Sequence, residues 1–144
     1  MRTVIQRVKQ AQVKVDQSIV GSIEKGYLIY VGFHVDDTLE HVKKMADKII
    51  NLRVFEDHNQ KMNLNLKAVK GSLLVVSQFT LYGDTKGNNR PSFTQTMPPT
   101  DAQNLYHHFI NILSEHAHVE QGVFGAKMEI LSINDGPVTI QIEM

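Results

Sequence analysis

Four consecutive residues, Ser77, Gln78, Phe79 and Thr80, combine two hydroxyls with an amide and an aromatic ring. A hydroxyl attacks an ester or amide when a base takes its proton. It can equally be the polar end of a strand, hydrogen-bonded to loop backbone. Seven histidines could serve as the base: His34, His41, His58, His107, His108, His116 and His118. None stands in a context that singles it out. There is no Gly-x-Ser-x-Gly elbow, and a triad also requires a positioned His and Asp. With no cysteine, no thiol nucleophile is available.

Metal chemistry has little to draw on. His107-His108 and His116-x-His118 are the histidine clusters. Neighbouring helical residues point about 100° apart, so the first pair does not easily share an ion. No His-Glu-x-x-His is present, and without cysteine no common zinc signature remains. Neither metal nor cofactor is expected. Asp36-Asp37 reads as a helix start and Asp84 as a loop residue, so no paired carboxylates emerge. Gly83 and Gly87 match neither phosphate-loop nor dinucleotide spacing.

Two further features bear on chemistry. Lys86 and Arg90, with Arg53 and Lys61 as further candidates, could meet a few phosphates; the plainer reading is a solvated surface. Gly136-Pro137 reads locally as a hairpin turn. Only about 5–6% of X–Pro bonds in folded proteins are cis, so the cis form is not assigned from sequence. If cis, both carbonyls could point the same way, as a rigid pair of backbone acceptors.

The elements that position these residues follow from periodicity. Gly71 opens a run, Ser72 to Val76, short, apolar and β-branched, which reads as a strand buried on both faces whose polar end is Ser77-Gln78-Phe79-Thr80. Successive side chains alternate along it, so Ser77 and Phe79 face one way and Gln78 and Thr80 the other. Upstream, Thr3–Val15 is a long strand whose apolar parity changes, from Val4 and Val8 to Ala11, Val13 and Val15. That change predicts a bulge near Lys9-Gln10. Ile19–Ile23 and Tyr27–Phe33 are the next strands. Asp37-Thr-Leu-Glu40 has capping-box spacing for a first helix, with Leu39, Val42, Ala46, Ile49, Ile50 and Arg53 along its stripe. Val54-Phe55 is a strand stub. Tyr82 to Pro91 forms a long loop, a length that usually serves function or is disordered. Thr100-x-x-Gln103 caps a second helix marked by Ala102, Leu105, Phe109, Ile112 and Leu113. Lys127–Ile133 and Val138–Ile142 read as two strands of a hairpin turning at Asn134-Asp135-Gly136-Pro137. The order β-β-β-α-β-α-β-β argues against a doubly wound sheet. The expected fold is α+β: one domain over residues 1–144, with a mixed, strongly curved, barrel-like sheet carrying two helices.

The 144 residues suit one core, and 42% hydrophobic content marks a globular chain. Fifteen basic residues balance fifteen acidic ones, so no whole-surface attraction to nucleic acid or membrane is expected. No stretch approaches the roughly 20 apolar residues of a membrane span. The start, Met1-Arg-Thr-Val-Ile-Gln-Arg7, lacks a signal-peptide apolar run. A soluble, cytoplasmic protein is expected.

Three stretches go further. Ser77-Gln78-Phe79-Thr80-Leu81, Arg90-Pro91-Ser92-Phe93 and Asn134-Asp135-Gly136-Pro137-Val138-Thr139 resemble the signature motifs of the D-aminoacyl-tRNA deacylases. The resemblance covers the whole chain, including Ile5-Gln6-Arg7-Val8, Lys61-Met62-Asn63 and Gly122-x-Phe124. Gln60 departs from it, standing where a glycine is expected, which bears on a turn and not on activity. The resemblance implies hydrolysis of the ester between a D-amino acid, or glycine mischarged on tRNA-Ala, and the 3′ end of tRNA. It implies a homodimer in which Gly136-Pro137, cis, reaches into the partner's site and excludes L-residues. It further implies that Ser77, Gln78, Phe79 and Thr80 hold the ester and terminal ribose, with Arg7 and Asn134 supporting the Gly-Pro loop. Lys86 and Arg90 would contact tRNA phosphates. No metal or cofactor is implied. Catalysis would come from positioning and backbone donors, helped by the tRNA 2′-hydroxyl, with Thr80 as covalent nucleophile the lesser alternative.

Two other classes stay open. A non-catalytic RNA- or DNA-binding module would show a strongly basic face and stacking aromatics. A metal-free Ser/Thr esterase would place a histidine within hydrogen-bond reach of Ser77 or Thr80.

Overall fold

The computed structural model describes residues 1–144. Its strands are β1 (Arg2–Val15), β2 (Ser18–Ile23), β3 (Gly26–Gly32), β4 (Phe55–Glu56), β5 (Met62–Leu64), β6 (Ser72–Ser77), β7 (Val119–Gln121) and β8 (Glu129–Glu143). Two helices, α1 (Leu39–Ile50) and α2 (Pro99–Ser114), and a 3₁₀ turn, Phe79–Tyr82, complete it.

The main sheet runs β2-β1-β3-β6-β7, with β8 on the other side of β1. β6 lies parallel to both β3 and β7, and the pairings of β1 are antiparallel. The sheet curls until β2 lies across β6 and β7. A Cβ on Gly21 would sit 2.8 Å from the Gln121 carbonyl oxygen and 3.1 Å from Leu74. Glycine therefore permits the approach that nearly closes the barrel. The expected α+β fold with a barrel-like mixed sheet and two helices is the one found.

β3 and β6 are buried on both faces, as a continuous apolar run requires. Leu28, Leu74 and Val76 face a small core inside the curl, with Val8, Ala11 and Val13. Tyr27, Ile29, Leu73 and Val75 face the larger core beneath the helices, with Val42, Met45, Ile49, Phe109 and Leu113. The predicted parity change in β1 is present: its register with β8 shifts between Gln6 and Val8 and again between Val8 and Gln10.

Several local expectations need correction. The C-terminal hairpin is a single strand. Ile130–Ile133 pairs with Gln10–Val13, and Thr139–Glu143 pairs with Arg2–Gln6, all antiparallel to β1. The chain keeps its direction, and Asn134-Asp135-Gly136-Pro137 bulges where β1 itself is irregular. The caps also shift. Thr38, not Asp37, is the N-cap of α1, and its N–H donates to His41 Nδ1 at 3.1 Å. Asp37 is used elsewhere, accepting from the His34 N–H and the Met1 amino group, both at 2.6 Å. Helix α1 ends at Ile50, so Arg53 is outside its stripe, and Met45 is buried in it. Helix α2 starts at Pro99 without a side-chain cap, in place of the Thr100 box. Proline suits a first turn because its missing N–H has no partner there anyway. The short β7 had no sequence signal. Only its parallel pairing with Leu73–Val75 makes it a strand.

Candidate active site

β6 ends at Ser77, and the chain then tightens instead of continuing extended. The Gln78 N–H still donates to the Val31 carbonyl at 2.7 Å. From Phe79 the backbone turns as a 3₁₀ helix, so the alternation expected from Ser77 to Thr80 stops after the first residue. The turn's bonds run from Leu81 N to Gln78 O and from Gly83 N to Thr80 O. The N–H groups of Phe79 and Thr80 precede the first of these bonds, leaving two donors outside the turn's own pairing.

The turn is seated from two sides. Gly32 lies under it: a Cβ there would come 2.8 Å from the Gln78 carbonyl oxygen and 3.3 Å from Leu81 Cβ. Arg2 lies beside it. Its Nη1 donates to the Leu81 carbonyl at 2.9 Å, and its guanidinium carbon is 4.5 Å from the Tyr82 ring centre. Glu143 holds Arg2 Nε at 2.9 Å. Burial and the nearby Asp37 carboxylate push the Tyr82 phenol well above its ordinary value, with Arg2 pulling weakly the other way. Tyr82 therefore stays neutral and supplies no base.

Ser77, Gln78 and Phe79 open onto a cavity of about 600 Å³. Its walls are mostly apolar: Phe33, Phe93, Met97, Phe124, Met128 and Ile130. Thr80 is exposed beside the mouth, and its Oγ1 accepts from Gln78 Nε2. No histidine lines the cavity, and none hydrogen-bonds Ser77 or Thr80; His34, His41 and His118 bond to Asp36, Thr38 and Glu120 instead.

Arg7 is 4% exposed. It donates from Nη1 to the Val54 carbonyl at 2.6 Å and from Nε to the Asp135 carbonyl at 3.2 Å, with the Asp135 carboxylate also at 3.2 Å. Asn134 completes the loop: its Oδ1 accepts from the Val138 N–H at 3.1 Å, and its Nδ2 donates to Thr139 Oγ1 at 3.0 Å. Gly136-Pro137 is cis, and both residues are exposed. Neither lines the cavity. Arg7 pairs with Tyr27, whereas Ser77 pairs with Val31. The two groups are thus offset along β3 by about 13 Å, at roughly 3.3 Å per residue. Within one chain they do not meet.

Lys86 and Arg90 are exposed on the loop after the turn, which the backbone pairing of Asp84 with Ser92 closes at 2.8 Å. Arg53 is engaged away from it, donating from Nε to the Asn63 carbonyl at 2.7 Å. Gly32, Arg2, Met97 and Met128 belong to the site without having been expected there. Phe93 and Phe124 lay within the quoted motifs, but nothing in their spacing marked them as cavity walls.

A sequence profile described as D-Tyr-tRNA(Tyr) deacylase matches residues 4–143. The chain belongs to the D-aminoacyl-tRNA deacylase family. It is thereby one of a family of hydrolases. It is 50% identical over 144 residues to a D-aminoacyl-tRNA deacylase of Thermosipho africanus, covering 99% of this chain and 97% of that one. It is 49% identical, with the same coverage, to the deacylase of Clostridium novyi. Among solved structures, a c-Myc DNA unwinding element binding protein superposes with a TM-score of 0.95 at 36% identity, covering 100% of this chain and 99% of that one. A probable eukaryotic D-amino acid tRNA deacylase superposes with a TM-score of 0.86 at 18% identity, over 99% of this chain and 98% of the other, and so shares the fold. No helix is long and apolar enough to cross a membrane.

Proposed function

We propose that the protein hydrolyses the ester between a D-amino acid, or glycine, and the terminal adenosine of tRNA, releasing free tRNA in the cytoplasm. One observation carries this reading: a polar strand end with two unpaired backbone donors stands at the mouth of an apolar cavity. The cavity, at about 600 Å³, is within the range that takes a small organic ligand. The flat adenine enters among Phe33, Phe124 and Met128, and the ester stays at the mouth beside Ser77 and Gln78. The Phe79 and Thr80 N–H groups then receive the oxygen that becomes negative as water attacks. Such preorganised donors supply transition-state stabilisation without moving. The 2′-hydroxyl of the same ribose assists the water.

Selectivity for the D-hand comes from Gly136-Pro137 of a second copy in a homodimer. The offset between that loop and Ser77 within one chain supports a site completed across subunits. The backbone carbonyls of Gly136 and Pro137, on a loop braced by Arg7 at Asp135 and by Asn134 at Val138, stand against the substrate α-carbon, where an L side chain collides and a D side chain leaves towards solvent. A filter of backbone rejects by clash and reads no side chain, so many D-residues pass, and glycine passes with them. Lys86 and Arg90 meet phosphates of the 3′ end.

The test is hydrolysis of D-Tyr-tRNA and L-Tyr-tRNA side by side, with and without a chelator. Loss of the D-ester alone, unaffected by the chelator, is the expected result. Equal loss of both sinks the chiral filter, and loss of neither with tRNA still bound leaves a binding module.

Thr80→Ala separates positioning from covalent catalysis. With no histidine near Thr80, the variant is expected to stay within about 10–100-fold of the parent, the range of a misplaced contact. A covalent nucleophile would lose on the order of 10⁶-fold. Single-turnover rates on D-Tyr-tRNA decide between them.

A further inference from the structure

We propose that Phe79 and Phe93 form a stacking platform for the base of the nucleotide that precedes the terminal adenosine of the tRNA. The inference rests on the deacylase reading and extends it from the ester outwards along the 3′ strand.

Both rings are more exposed than large aromatics usually are: Phe79 is 55% exposed and Phe93 38%. They sit against each other at 5.0 Å between ring centres, with planes at 64°. In such an edge-to-face pair one ring keeps its own faces free. Both residues also line the cavity, so a base stacked on them is contiguous with a nucleoside inside it. The arrangement depends on the loop folding back tightly. A Cβ on Gly83 would lie 3.1 Å from Phe93 Cε1 and 3.1 Å from the Thr80 carbonyl oxygen, so glycine lets Phe93 reach Phe79.

Charge points to the same occupant. Lys86 and Arg90 lie on the loop that carries Phe93, both are exposed, and neither has a carboxylate partner. A single strand wants this combination, cations for the phosphate and an aromatic face for the base.

The experiment compares kcat/KM of the wild type, Phe93→Ala and Phe93→Leu on three substrates. These are D-tyrosyl-tRNA, the small ester 3′-(D-tyrosyl)adenosine, and D-tyrosyl-tRNA made abasic at the penultimate nucleotide. Base–aromatic stacking is worth roughly 1–3 kcal/mol, so either variant is expected to lose about tenfold more on the tRNA than on the small ester. On the abasic tRNA that extra loss should vanish, and the wild type should itself fall to the variants' level. Leucine keeps apolar bulk without a ring, so a fold defect confined to alanine leaves the comparison intact. Equal losses on tRNA and small ester overturn the platform and make Phe93 a wall for the terminal nucleoside. An abasic substrate as good as the parent also overturns it. So does a shift in self-association of the chain by Phe93→Leu, which would place the pair between copies. A wild type that cleaves neither D-ester removes the deacylase reading itself.

Discussion

Gly32→Ala is expected to slow cleavage of D-Tyr-tRNA about 100-fold, the cost of misplacing a catalytic group by roughly an ångström. The new Cβ would lie 2.8 Å from the Gln78 carbonyl oxygen, closer than real Cβ atoms approach backbone. That carbonyl accepts from Leu81 N at 3.3 Å and so starts the 3₁₀ turn. It cannot withdraw freely, because the Gln78 N–H is fixed to Val31 at 2.7 Å and Arg2 holds the Leu81 carbonyl at 2.9 Å. Relief therefore comes by tilting the turn, which re-aims the Phe79 and Thr80 N–H groups. Overpacking of this kind costs about 1–3 kcal/mol, so the variant should fold with a lowered melting temperature. The signature is a fall in kcat larger than any rise in KM, because the walls away from the turn, Phe33, Met97, Phe124 and Met128, stay in place. A variant with full kcat would show that those two donors do not act in the reaction.

Gly136→Ala is expected to damage both stability and selectivity. Gly136 has φ +124°, a region that L-residues adopt at a cost of about 1–3 kcal/mol. A Cβ there would also sit 2.8 Å from Val138 Cγ2 and 3.1 Å from Arg7 Nη2. Val138 and Arg7 are both buried, so neither has room to move aside. If Arg7 shifts, the carbonyls of Val54 and Asp135 lose their donor, and a buried unpaired carbonyl costs about 1–3 kcal/mol. The combined loss should be about 2–4 kcal/mol, read as a lower denaturation midpoint. With the loop loosened, the ratio of D- to L-Tyr-tRNA hydrolysis should fall at least tenfold, about 1.4 kcal/mol of discrimination. An unchanged ratio in a destabilised protein would assign Arg7 and Gly136 to the fold alone.

These two glycines also show where local reading stops. Ser72–Val76 was legible as a doubly buried strand because its apolar, β-branched run has one good solution. The bulge in β1 was legible because parity along a strand fixes which face each residue takes. The amphipathic stripes placed both helices, although the cap of α1 moved by a residue because Asp37 is drawn to His34 and Met1, and α2 starts at Pro99 ahead of the expected Thr100 cap. The polar strand end was visible, as was the unusual Asn134-Asp135-Gly136-Pro137. What that loop does was not. A turn sequence between two alternating runs looks the same whether the chain reverses or bulges, and the choice belongs to the partner. β1 is long enough to pair both halves of β8 in one direction, so the chain runs on. Gly32 was unreadable for the same reason, since its role is the distance to a carbonyl 46 positions away in the chain. The sequence by itself determined the two helices, the strands β1, β2, β3 and β6, their buried faces and the family motifs. Only the tertiary structure decided that a turn follows Ser77, that an apolar cavity opens beside it, and that Gly136-Pro137 lies elsewhere in the same chain. Periodicity reports which side of an element is buried, whereas a site is made by contacts between residues remote in sequence, and no local pattern encodes their separation.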